Sequence, residues 1–254
     1  MRIIIIFLVC NLSFLIKNIA SAVTVKWFTE NFYPFNYFEN GKLDGFSVEI
    51  VNEMLRLMNS KDSIEVIPFP RLINIIDKQP NTAGFSVYQT DENKDNYQWV
   101  GPLAKGTVGF FKRSDSKVSI KSLDDAKKKV IIGVQLGSSH EKFLNKNGFK
   151  NLYRVAQSQN VIGNSLIHML ISGRFDLWMA TDVSVYARAE KQNIPSEKII
   201  MAYKIRTNQL YIAFSKQTDP KIVKKYRKYF FKVKNSPFYQ DLFLRYSKYH
   251  IKKP

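Results

Sequence analysis

The stretch "SVEIVNEMLRLMNSKDSIEVIPFPRLINIIDKQPNTAGFSV" (Ser47–Val87) decides the fold. Ile50, Val51, Met54, Leu55 and Met58 recur at three- and four-residue steps, which places them on one face of a helix over Ser47–Met58, with Ser47 as a candidate N-cap. Glu65–Phe69 then reads as a strand, Arg71–Asp77 as a short helix and Ala83–Val87 as a strand again. Upstream, Val23–Phe28 alternates apolar and polar residues. The resulting βαβαβ run points to a parallel sheet.

Working outward, a second run of the same kind follows. Thr107–Lys112 reads as a strand, Ser122–Lys128 as a helix capped by Ser122, Val130–Val134 as a strand and Ser139–Asn145 as a helix. Asn160–Ile171 carries Ile162, Leu166, Met169 and Leu170 on one face and stops at Gly173, ahead of the strand Phe175–Ala180. Two α/β units in tandem imply two lobes. The strand near Leu210–Phe214 and the basic, aromatic helices after Pro220 have no sheet of their own, so they are expected to return to the first lobe. The expected division is lobe I over 23–111, lobe II over 112–205, and a return to lobe I over 206–254. The fold class is α/β, each lobe a mainly parallel sheet flanked by helices, with a ligand cleft between them.

The first 22 residues stand apart. Arg2, the apolar run Ile3–Ile16, Lys17 and Ala20-Ser21-Ala22 follow the pattern of a cleaved secretory leader, which puts the mature start at Val23 and the protein in the periplasm. An uncleaved anchor is the alternative, but the run is shorter than the roughly 18–20 apolar residues that span a bilayer. The single cysteine, Cys10, leaves with the leader. The mature chain is then expected to rely on its apolar core, without disulfides, thiol chemistry or cysteine-bound zinc. His140, His168 and His250 are scattered without metal-ligand spacing, so neither a metal nor another cofactor is expected.

The formal charge of +18 falls by two, to +16, when Arg2 and Lys17 leave, and eleven Lys or Arg against one acid, Asp241, lie within 221–254. Such a tail can attract an anionic partner, or it can solvate helices whose inner faces carry Tyr226, Phe230, Phe238 and Phe243. The interleaving of cations with core aromatics favours the second reading. No nucleic-acid motif is present, so no nucleic-acid partner is expected. The protein is expected to be a monomer.

In open α/β sheets ligands sit beyond the carboxyl ends of the strands. Here those ends carry Phe32-Tyr33-Pro34-Phe35, Pro68-Phe69-Pro70-Arg71, Ser86 with the turn Thr90–Asn96, Gly137-Ser138-Ser139, and Thr181-Asp182. Phe32 and Phe69 offer flat apolar walls or plain core packing. Ser138 and Ser139 open a helix, where they either receive an anionic oxygen or serve as an ordinary cap. Asp182 either accepts from an ammonium or caps the helix that follows. The run Ser138–Glu141 holds hydrolase-like residue types, but neighbours at a helix start point in different directions and form no nucleophile–base relay. No Gly-x-Ser-x-Gly elbow exists and no carboxylate pair stands out, so no enzymatic role is expected.

Three segments resemble the periplasmic amino-acid-type solute-binding proteins of ABC importers: "YPFNYFENGKLDGFSVEIVNEML" (Tyr33–Leu55), "VIIGVQLGSSHEKFL" (Val130–Leu144) and "ISGRFDLWMATD" (Ile171–Asp182). Pro68–Arg71 and Trp99–Pro102 are similar to motifs of a less-characterised branch. The resemblance implies a type II periplasmic binding fold, two lobes hinged by two crossing strands, and a small-molecule solute. It implies ligand contacts at Phe32, Phe69, Ser86, Ser138, Ser139 and Asp182, with Thr181 an alternative to the last. The partner it implies is an ABC transporter permease or a membrane sensor. A dehydratase-like periplasmic enzyme and an orphan binding protein that signals to a receptor are the alternatives.

One departure bears on the ligand. Relatives carry an arginine clamp for an α-carboxylate in the turn after the third strand, and here the corresponding positions are Gln89 and Asn93. Lys94 is a point charge and does not reproduce a bidentate fork. With Thr90 lining the same turn, an anionic group needs another cation, and Arg71 is the expected anchor, or else a brace for the turn through Asp91 or Glu92. Standard α-amino acids are expected to bind poorly. A small polar solute, amino-acid-like or a related organic anion, is the expected ligand.

Overall fold

The computed structural model describes residues 24–128, 130–156 and 166–254. The expected leader, and the part of the expected helix before Leu166, lie outside them. Lobe I opens with β1 (Lys26–Thr29), a hairpin of β2 (Tyr37–Glu39) and β3 (Lys42–Asp44), α1 (Phe46–Leu57), β4 (Ile64–Val66), α2 (Phe69–Lys78) and β5 (Thr82–Tyr88). A long strand, β6 (Tyr97–Arg113), leads into lobe II. There α3 (Leu123–Lys128), β7 (Ile132–Gln135), α4 (Ser139–Lys146), β8 (Leu152–Val155), α5 (Leu166–Ile171), β9 (Leu177–Thr181) and α6 (Asp182–Lys191) follow. A second long strand, β10 (Ile199–Ser215), returns to lobe I and the helices α7 (Pro220–Lys234) and α8 (Pro237–Arg245).

The strands form one hydrogen-bonded series in the order β4-β1-β5-β10-β6-β9-β7-β8. β1 is parallel to β4 and β5, and β7 is parallel to β8 and β9, as the two crossover runs require. β6 and β10 run antiparallel to each other along nearly their whole length. Leu210–Phe214 of β10 pairs with β5, while Val108–Phe111 of β6 pairs with β9. β6 thus passes from beside the β5-paired part of β10 to beside β9 between Ala104 and Val108, within one unbroken strand. A strand that continues without a turn carries no local mark of where one lobe ends.

Local chemistry accounts for two shifted helix starts. α1 begins at Phe46 with Gly45 at its cap, and Ser47 is buried inside the helix. Gly45 has φ +125, and a Cβ there would lie 2.4 Å from the Phe35 carbonyl oxygen, so the close approach of two backbones sets the start. α2 begins at Phe69, two residues before the expected Arg71, with Pro70 in the first turn where no backbone N–H is needed.

The core runs on both faces of the sheet. Trp27, Phe85, Phe110 and Phe214 are buried in its largest cluster, and Phe28, Ile67, Leu72 and Ile76 pack under α2. Phe111, Ile167, Phe175 and Trp178 fill lobe II. Tyr226 of α7 stacks against Phe214 at 5.0 Å and Trp27 at 5.3 Å, and Phe243 of α8 meets Phe46 at 4.9 Å. The basic helices thus close over lobe I with Tyr226, Phe230, Tyr239 and Phe243 inward, while Phe231 is exposed.

Candidate functional site

Beyond the carboxyl ends of β1, β4 and β7 lies a cavity of about 270 Å³, walled by Glu30, Asn31 and Val66–Phe69 from lobe I and by Gln135, Leu136 and Gly137 from lobe II. A second, of about 280 Å³, shares Phe69 and is bounded by Tyr88, Thr90, Asn93, Ser139, Lys142, Phe143, Lys146 and Arg206. A third, of about 40 Å³, shares Glu30 with the first and Ser139 with the second, and reaches Phe32, Ser138, His140, Thr181 and Arg188. Phe69 and Ser139 stand where these spaces adjoin.

Several expected residues meet here. Phe69 heads α2 and walls two of the spaces. Phe32 is half-buried and packs against Phe35 at 5.1 Å and Tyr88 at 6.2 Å. Thr90 opens a tight turn: its N–H donates to Asn93 Oδ1 at 2.7 Å, and Asn93 Nδ2 donates to the Tyr88 carbonyl at 2.9 Å. Asn93 is therefore spent on the backbone. Ser138 caps α4, accepting from the Glu141 N–H at 3.2 Å and donating to the Gln135 carbonyl at 2.8 Å. Glu141 turns back to accept from the Gly137 N–H at 2.6 Å, so the helix start is partly satisfied from within. Ser139 is the hydroxyl of the pair that borders both the second and third spaces.

Four expected residues sit elsewhere. Ser86 is the extra residue of a bulge, skipped between the pairs Phe85–Ile212 and Val87–Tyr211, with φ +61. Its buried hydroxyl donates to the Asn36 side-chain oxygen and lines none of the three spaces. Arg71 is exposed on the outer flank, in a separate groove of about 720 Å³ with Lys26, Asp62, Glu65 and Lys225. Because α2 starts at Phe69, residue 71 lies about 200° around the helix from the residue that faces the cleft. It does not brace the Thr90 turn either, since Asp91 pairs with Lys94 at 3.6 Å and Glu92 with Lys146 at 3.3 Å. Lys94 is exposed and borders none of these spaces.

Asp182 is buried, and its Oδ1 accepts from the backbone N–H groups of Thr107 at 2.9 Å and Val183 at 2.8 Å. Lys252 approaches its other oxygen at 3.3 Å. It fastens the start of α6 to the crossing strand β6, while Thr181 supplies the α6 cap by accepting from the Ser184 N–H at 3.3 Å.

Other cleft residues were not singled out by sequence reasoning. Glu30, just past β1, lines two of the spaces, and burial pushes its carboxyl up to about 8. Arg188 of α6 is buried with Nε and Nη1 lacking hydrogen-bond partners, and burial lowers its pKa to about 10. His140 also has an unpartnered buried Nε2; burial, followed by the charge of Arg206, holds it down at about 4. Arg206 of β10 lies over the Phe143 ring at 4.6 Å, and its pKa is lowered by burial. The strand-end rule pointed close to Glu30, but attention fell on the aromatics beside it. Arg206 lies mid-strand, where that rule does not look. Among the described residues no group of His, Cys, Asp or Glu side chains is arranged to hold a metal ion.

A two-lobed α/β molecule with strand ends from both lobes around its cleft has the architecture of a periplasmic-type binding protein. The chain belongs to the bacterial extracellular solute-binding proteins, family 3, which match residues 25–249. It is 29% identical over 164 residues to the probable amino-acid-binding protein YxeM of Bacillus subtilis (strain 168), a match over 64% of this chain and 61% of that protein. The matched stretch thus spans about three-fifths of that relative's length. An ancestral arginine-binding protein bound to arginine superposes with TM-score 0.70 at 23% identity, covering 88% of this chain and 98% of that one. An ancestral amino acid-binding protein, described as a precursor of cyclohexadienyl dehydratase, superposes with TM-score 0.68 at 18% identity over 88% of this chain and 95% of that one.

Proposed function

We propose that this protein is exported to the periplasm, captures a small polar solute, amino-acid-like or a related organic anion, between its lobes, and delivers it to an ABC importer without altering it. The observation that carries this reading is the convergence of strand ends from both lobes on one space, with Glu30 and Phe69 facing Gln135 and Gly137. The family and the amino-acid-binding relative support the same class of cargo. Phe32 and Phe69 would cover apolar parts of the solute, while Thr90, Ser138 and Ser139 would offer hydroxyls. Glu30, with no side-chain partner among the described residues, is the carboxylate best placed for a cationic group.

A thermal-shift screen of refolded, ligand-free protein against amino acids, small organic acids, polyamines and sugars tests this. At least one solute should raise the melting temperature and bind in calorimetry with one-to-one stoichiometry. A screen in which no solute does either overturns the reading. Glu30 also favours a second reading: a carboxyl held near neutral pKa in a cleft is suited to general acid–base work, and one structural neighbour is a precursor of a dehydratase. Solutes that bind are therefore followed by NMR during incubation, where an unchanged spectrum is expected and a new product would establish an enzyme.

A further inference from the structure

We infer that Arg206, carried on the crossing strand β10, is the cation that receives a carboxylate of the bound solute, so that the cleft takes small organic carboxylates despite lacking an arginine in the Thr90 turn. The inference rests on the solute-binding reading and names the chemistry of the cargo.

A carboxylate in a partly desolvated cleft needs a cation or several donors. The turn supplies no cation to the cleft, since Gln89 and Asn93 occupy its two usual positions and Lys94 points to Asp91. Arg71 lies on the outer flank. Of the cations around the second cavity, Lys146 is paired with Glu92 at 3.3 Å and Lys142 is exposed. Arg206 is half-buried and makes no ion pair within 4 Å among the described residues, although the charge of Glu92, which lines the same cavity and pairs with Lys146, acts on it.

The surroundings of Arg206 complete a receptor for an anion. Phe143 lies against the guanidinium at 4.6 Å and holds its plane, while Nε donates to the Asn208 side-chain oxygen at 3.0 Å once that amide is turned to face it. One edge of the fork is thereby fixed and the terminal nitrogens remain for a ligand. Tyr88 borders the same space, while its buried hydroxyl lies toward Gly106, Thr181 and Asp182 and makes no hydrogen bond of acceptable geometry. Its pKa is raised, first by burial and then by the Asp182 carboxylate, so it stays a donor at any physiological pH. Thr90 from lobe I and Ser139 from the first turn of α4 flank the opening. The guanidinium with the Thr90 and Ser139 hydroxyls matches the needs of a carboxylate, while Asp77 and Glu92 line the same cavity, Glu92 already paired with Lys146.

The location has a mechanical consequence. An arginine in the Thr90 turn would belong to lobe I alone, whereas Arg206 sits opposite Val108 at the crossing, beside the register shift between Lys204 and Arg206. A carboxylate held there touches the hinge and both lobes at once. Recognition and closure would then share one contact.

The test titrates refolded wild type, Arg206→Gln, Arg206→Lys and Lys94→Ala with the twenty standard L-amino acids, C2–C6 dicarboxylates and the carboxamide of every acid that binds. At least one carboxylate should bind wild type, its carboxamide about tenfold or more weaker. Arg206→Gln should lose about tenfold or more, as expected for a charge-assisted contact, Arg206→Lys less, and Lys94→Ala should stay within about twofold. The ligand-free melting temperature of each variant shows that it folds, and Arg206→Lys keeps the test usable should the glutamine variant prove unstable. A carboxylate that binds Arg206→Gln as tightly as wild type, or a carboxamide preferred over its acid, overturns the inference and leaves the solute-binding reading standing. If none of these acids binds while the thermal-shift screen finds a neutral or cationic solute, the inference falls and the solute-binding reading stands; if that screen also finds nothing, both fall.

Discussion

Burial holds the Glu30 carboxyl at about 8 against an ordinary 4.5, so in the empty cleft it is largely protonated at neutral pH. A folded-state pKa raised in this way contributes stability that is complete below about 4.5 and is lost as pH rises through about 8. Glu30→Gln removes that dependence. The variant and wild type should therefore melt together near pH 4.5, and the variant should melt progressively higher toward pH 8.5, as read by differential scanning fluorimetry. Parallel profiles across this window would show that Glu30 is solvated. If a cationic group of the solute pairs with Glu30, binding at pH 7 should also release a proton, making the calorimetric enthalpy depend on the buffer. At this scale the places of Phe32, Phe69, Thr90 and Ser139 beside the cavities follow from strand ends that the sequence marks. Those of Ser86 and Arg71 depend on backbone detail: a one-residue bulge directs Ser86 to Asn36, and a helix start two residues early carries Arg71 to the outer flank. Neither leaves a signature in residue types.

Among the elements, the helices were the most legible, because α1 and α2 each keep a clear apolar periodicity and α4 opens on a serine cap. The crossing strands were read as short pieces, Thr107–Lys112 and Leu210–Phe214, although each spans 17 residues. Gly101-Pro102 interrupts the first, and three register shifts break the alternation of their pairing, so the period-two pattern is lost where the strands are longest. Between them lies the fastening by Asp182, whose one oxygen serves two backbone N–H groups. Asp182→Ala leaves those donors unsatisfied and should lower the ligand-free stability by about 1–3 kcal/mol. Asp182→Asn keeps an acceptor oxygen and should recover most of the loss, with affinity for a solute found in the screen within about twofold of wild type. An affinity loss of about tenfold or more in Asp182→Asn, with an unchanged melting temperature, would instead make Asp182 the ammonium ligand implied by the family resemblance.

For the whole molecule, two strands form the covalent connection between the lobes, and among the described residues the other contacts between them are both apolar, where Tyr33 and Tyr37 pack against Ala187, and polar. Lys146 meets Glu92 at 3.3 Å, Lys191 meets Glu39 at 2.8 Å, and Ser184 Oγ donates to the Tyr33 carbonyl at 2.7 Å. The side chains of Lys146 and Glu92 are 64% and 63% exposed, and an exposed pair of this kind contributes about 0–1 kcal/mol. A solute touching Glu30, Thr90, Ser139 and Arg206 would engage both lobes and the hinge. A ligand that prefers the closed arrangement shifts the population toward it by its differential affinity alone. Small-angle scattering should therefore show a smaller radius of gyration when a solute confirmed by calorimetry saturates the protein, the signature of hinge closure. The strong positive charge calls for a salt series, because repulsion between molecules mimics a change in size at low ionic strength. The forward scattering in the same experiment should give the mass of one chain. Compaction should survive Lys146→Ala, since the exposed pair is incidental to closure, and should be reduced in Arg206→Gln at a solute concentration that just saturates wild type. An unchanged radius in wild type at saturation would mean that the lobes form a rigid cleft, and the coupling assigned to Arg206 would fall with the hinge.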